Sequence, residues 1–155
     1  MTCLGQCSRM SPDGDSSWVA DWTVDPFVSF GPLRLRASRE EVRQAIGETP
    51  HEFLKGENPT PVETYEGAGI HAYYDSEGLL EFVEAFPPCS PVYAGIDLLA
   101  PDAGSVVRQL RDLGLESRED AEGGIWFEDH GFALYAPSGV SEGVSVFTRG
   151  YDTGA

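Results

Sequence analysis

Two short stretches with helical periodicity, each closed by a glycine after about ten residues, are what most restricts the folds open to this chain. Ser38 can cap the first, with Glu41 three residues on to complete a capping box. Val42, Ala45 and Ile46 fall on one face, Gly47 can take the left-handed closing position, and Pro50 prevents a restart. Asp102 can cap the second, whose stripe is Val106, Val107, Leu110 and Leu113, with Gly114 beyond it. Arg108 and Arg111 sit near its C-terminal end, where cations suit the helix dipole. Helices this short are marginal alone and must dock on something.

The rest of the chain alternates with a period of two between turn signals, so that something is a sheet. Val28–Phe30 and Leu33–Leu35 flank a Gly31-Pro32 turn. Residues 48–62 read as a loop. Ile70–Tyr74 and Leu79–Phe86 flank Asp75-Ser76-Glu77-Gly78, which reads as a hairpin closed by Pro87 and Pro88. Val92–Leu99 reads as a strand with Val92, Ala94, Ile96 and Leu98 on one face. Ile125–Glu128 and Phe132–Tyr135 form a second hairpin about Asp129-His130-Gly131, and Val144–Phe147 is a last strand. The expectation is one α+β domain over residues 21–155, its sheet mainly antiparallel with both helices on one face. Residues 1–20, rich in Ser, Gly and Asp, read as a flexible leader in which Trp18, Val19 and Trp22 mark where order begins. Each helix precedes a hairpin, which suggests two pseudo-repeated units, with Gly69-Ile70 laid against Gly124-Ile125.

Ten basic residues face 26 acidic ones, a formal charge of −16. Such a surface repels nucleic acid and an anionic membrane leaflet and steers in a cationic partner. An acid-leaning composition fits equally well, since nine of the ten basic residues are arginine. No apolar run approaches a membrane span, and residues 1–17 lack the apolar segment of a secretory signal. Cys3, Cys7 and Cys89 make no disulfide framework, which points to a reducing, cytoplasmic setting.

Alternation puts His71, Tyr73 and Asp75 on one face of the first hairpin, and Trp126, Glu128 and His130 on one face of the second. An uncovered sheet side carrying Tyr73, Asp75, Glu81, Trp126 and Glu128 is a docking surface for a basic protein. If the hairpins are adjacent, His71, Asp75, Glu128 and His130 could instead hold a divalent metal or form an acid–base set. The alternative to both is that Tyr73 and Trp126 cap the core. Gly139-Val140-Ser141-Glu142-Gly143 matches a nucleophile elbow in letters only: no strand precedes it, a strand follows it, and no histidine comes after Ser141. Cys3 and Cys7 are one residue too far apart for a C-x-x-C pair. No catalytic signature and no cofactor motif stands out.

The stretch from Gly31 to Gly47, with Leu33, Leu35, Ser38, Glu40, Glu41 and Val42, resembles the opening of small bacterial α+β domains. The outer-membrane assembly lipoprotein BamE and the β-lactamase inhibitory protein use a comparable opening. Arg36 and Ala37 stand where that pattern has glycine and methionine. The ending Ser145–Asp152 looks like that of uncharacterised bacterial proteins that share this opening, and some such small acidic proteins look similar to immunity proteins of toxin systems. The resemblance carries over no functional residue; the charge of −16, the small size, the available sheet face and the lack of a catalytic signature are what point to a non-catalytic, immunity-type inhibitor of a basic partner such as a toxin.

Overall fold

The computed structural model of the chain describes residues 22–54 and 60–151. The leader, Cys3, Cys7, Trp18, Val19 and the closing Asp152 lie outside the described residues. The described chain opens with a small three-stranded sheet, β1 (Val24–Asp25), β2 (Ser29–Phe30) and β3 (Leu33–Arg34). The helix α1 (Arg39–Ile46) follows. Both arms of its capping box form, and Gly47 closes it at φ 76°. Four strands run on from it: β4 (His51–Phe53), β5 (Val62–Tyr65), β6 (Ile70–Tyr74) and β7 (Leu80–Ala85). After the small hairpin β8 (Val92–Tyr93) and β9 (Ile96–Asp97) comes α2 (Ala103–Asp112), capped by Asp102. Four more strands complete the chain: β10 (Arg118–Glu119), β11 (Gly124–Phe127), β12 (Phe132–Tyr135) and β13 (Gly143–Phe147).

The eight long-range strands make one antiparallel sheet in the order β10-β11-β12-β13-β7-β6-β5-β4. Each helix is thus followed by a four-strand meander, and the two meanders meet at their last strands, where Val83 faces Val146. One sheet face holds Ile70, Ala72, Leu80, Val83, Phe132, Leu134, Val144 and Val146, all buried. Val42 of α1 and Val106, Val107 and Leu110 of α2 join that core, so both helices cover the same face.

Three backbone features recur in the two halves. The Phe86 N–H donates to the Gly69 carbonyl, as that of Phe147 does to Gly131. Leu80 donates to Ala37 as Ser141 does to Pro101. Gly69 and Gly131 both adopt positive φ, at 74° and 72°. These contacts set Gly69 against Gly131, so the sequence pairing of Gly69 with Gly124 is one strand out of step. The slip arises because β5, carrying Glu63, lacks the look of a strand.

Two further expectations are corrected. Val92–Leu99 is no single strand: Ala94 (φ 51°) and Gly95 (φ 81°) form a two-residue hairpin loop between β8 and β9. Leu113 lies past the end of α2 and is exposed; Leu115 folds back into the core in its place, its N–H donating to the Leu110 carbonyl.

Under α1 the core is polar. Glu63 is fully buried, and its carboxylate accepts from the Tyr65 and Tyr74 hydroxyls at 2.9 and 2.7 Å and from Arg43. Arg39 approaches the same carboxylate at 3.4 Å while stacking over the Tyr74 ring. Burial alone would raise the Glu63 pKa; the hydrogen bonds from Tyr74, Arg43 and Tyr65 outweigh it and hold the group below the ordinary glutamate range.

Candidate functional site

The sheet face turned away from the helices carries a continuous cross-strand row running from His51 on β4 to Arg118 on β10. It passes through Thr64, His71, Glu84, Ser145, Ala133 and Trp126. His71, Tyr73 and Trp126 therefore lie half-buried on this one sheet face, beside Thr64, Ala133 and Phe147, which are buried. His71 and Trp126 are separated by the three strands β7, β13 and β12, roughly 19 Å at typical strand spacing.

Glu84 occupies the middle of this face, on a central strand. The Tyr73 hydroxyl donates to its Oε1, and His71 Nδ1 stands 3.7 Å from the same oxygen. Burial first, then the hydrogen bond and charge of Glu84, push the Tyr73 pKa up, so Tyr73 stays a protonated donor. Phe82 and Phe86 flank Glu84 along β7 on the same face. The His71 ring packs on Phe86 at 4.9 Å and Tyr73 meets Phe82 edge-on at 5.3 Å. Toward β13, Phe147 lies buried beneath Phe82, Tyr151 and Trp126. Trp126 thus caps that ring with part of its surface. Its indole N–H donates to Asp120, which holds the Asp120 carboxyl below its ordinary range together with the Gly124 and Glu122 amides.

The remaining expected site residues are placed differently. Asp75 is spent on its turn: Oδ1 accepts from the Glu77 and Leu79 amides. Glu81 is the extra residue of a β-bulge opposite Tyr73 and Tyr74, near Asp75 and Arg36. Burial and then the Asp75 charge raise its pKa. β11 ends at Phe127, and Glu128, Asp129 and His130 form a single 3₁₀ turn, so Trp126, Glu128 and His130 do not alternate along one strand. Glu128 pairs with Arg118 at 2.9 Å and, with Asp129 and Tyr151, borders a cavity of about 400 Å³. His130 packs edge-on against Tyr93, and its Nδ1 is buried without a hydrogen-bond partner among the described residues.

The expected metal set fails on topology. The two hairpins are not neighbours, because β13 lies between β7 and β12. No group of three or more His, Cys, Asp or Glu side chains converges among the described residues. Ser141 lies in the loop leading to β13, with no helix after it, so the elbow geometry is absent. No helix among the described residues is long and apolar enough to cross a membrane.

Sequence reasoning missed Glu84, Phe82 and Phe86 as site residues. The signal was present: alternation from Phe82 through Glu84 to Phe86 sets a carboxylate between two rings on the face of Tyr73. Comparison with protein-family models, with curated proteins and with solved structures finds no match.

Proposed function

We propose that the chain is a non-catalytic binding protein whose open sheet face docks a basic protein, in the manner of an immunity-type inhibitor. The observation that carries this reading is the make-up of that face: aromatic rings spread across the central strands about one half-buried carboxylate, Glu84, and among the described residues neither α1 nor α2 lies over them. Aromatic residues with few charges at the centre are the composition of a protein-binding surface. The formal charge of −16 adds long-range attraction for a cationic partner. A basic toxin that needs cationic groups for its own substrate would be blocked at that surface. The buried, unpaired thiol of Cys89 suits the reducing cytoplasm this reading implies.

The test is capture from extract of the protein's own cell at low and high salt. A basic protein should be retained at low salt and released at high salt. A Tyr73→Ala, Trp126→Ala double variant, checked for unchanged melting, should lose at least about tenfold in affinity. Glu40→Gln on exposed α1 should retain it. No captured protein at low salt, or capture indifferent to the double variant, contradicts the reading.

A further inference from the structure

We infer that the basic partner anchors itself by an arginine side chain seated over Glu84, between Phe82 and Phe86. This rests on the docking reading above and names the chemistry at its centre. Among the described residues, Glu84 is the one carboxylate on the central strands of the face turned away from the helices, and its side chain is 26% exposed. Both of its contacts, from Tyr73 and His71, reach Oε1, and no hydrogen bond reaches Oε2 among the described residues. Nor does any arginine or lysine among the described residues pair with it.

A partner lying on this face takes the exposed part of the Glu84 side chain out of water. A buried carboxylate without a cation is strongly unfavourable, so the partner must bring one to that point. The surroundings choose which. Phe82 and Phe86 stand on either side of Glu84 along the strand, and the His71 ring stands across from it. A guanidinium can stack its plane on such rings while its edge donates to the carboxylate; an ammonium keeps its hydration and gains only the charge contact. A second copy of the chain is the wrong occupant, since it would bring another strongly acidic surface against the first.

The experiment titrates hexa-arginine and, separately, hexa-lysine into the ¹⁵N-labelled full chain and follows amide shifts. Hexa-arginine should shift the amides of His71, Tyr73 and Phe82 to Phe86 before others, and bind several-fold more tightly than hexa-lysine. Glu84→Gln, which can still accept from Tyr73, should cut hexa-arginine affinity about tenfold. Phe86→Leu should remove the preference for arginine over lysine. Equal binding of both peptides, with shifts spread over all acidic surfaces and indifferent to Glu84→Gln, overturns the inference. If that result comes while the cell's own basic protein still depends on Tyr73 and Trp126, only the arginine anchor falls. If that protein ignores the double variant, the docking reading falls and the anchor with it.

Discussion

In the two halves of the molecule the helix meets the core with opposite chemistry. In the first, Arg39 and Arg43 of α1 reach Glu63, which also accepts from the Tyr65 and Tyr74 hydroxyls. Counting from the matched caps and the matched glycines, their counterparts in the second are Ala103, Val107, Ile125, Phe127 and Ala136. Of these, Ala103, Val107, Phe127 and Ala136 are buried, and Ile125 packs against the core. None of these five positions carries a charge. The ion cluster is therefore no requirement of this architecture, in line with the general finding that apolar residues can replace buried ion pairs. What it adds is directional: a carboxylate with four donors fixes α1 over β5 and β6 in one arrangement.

The sharpest way to break this comparison is Glu63→Ala. It leaves the buried Tyr65 and Tyr74 hydroxyls without an acceptor, while Arg43 keeps Glu52 and Arg39 keeps the Pro61 carbonyl, and unfolding in urea should show a loss of about 1–3 kcal/mol for each hydroxyl. The full apolar exchange, Arg39→Ala, Arg43→Val, Glu63→Ile, Tyr65→Phe and Tyr74→Phe, should instead be neutral or stabilising. A loss as large as that of Glu63→Ala would show that the halves are not interchangeable.

Acid separates the halves further. Because the folded pKa of Glu63 is depressed, its contribution is complete above the ordinary glutamate range and is lost as pH falls through the folded value. Urea midpoints between pH 7 and pH 3 should fall less steeply for the apolar exchange than for the wild type. Equal slopes would contradict this.

Smaller effects come from single hydroxyls and caps. Phe127→Tyr places a hydroxyl where the second half offers no carboxylate, and should cost about 1–3 kcal/mol. Removing the caps, Ser38→Ala and Asp102→Ala, should cost about 1 kcal/mol each, because both side chains accept from a backbone N–H of the first turn. A larger effect at Ser38 would mark the reciprocal Glu41 contact, which Asp102 lacks.

Most features set by near neighbours were legible in the sequence, the Ala94-Gly95 turn and the end of α2 excepted, and those set by distant ones were not. The capping box, the left-handed Gly47 and the Asp75 turn involve residues within four positions, and all form as read. β5 was passed over because Val62-Glu63-Thr64-Tyr65 looks half polar. Glu63 is tolerable inside only because Arg43, twenty residues away, and Tyr74 reach it. Reading Val92–Leu99 as one strand ran a period of two straight through a turn, since Ala94 gives no sign of its positive φ. At the site, His71, Tyr73 and Trp126 fall on one face as alternation predicts. Their spacing depended on strand order, and β13 returning to pair with β7 is a long-range event that no local pattern encodes.

Site-specific photo-crosslinking tests the docking face most directly. A crosslinking residue replaces Phe86 in one protein and Glu40, on the helix side, in another, and each is irradiated with the basic protein captured from the cell. Crosslinking at position 86 and none at position 40 is the predicted result; the reverse, or equal yields from both, would contradict it.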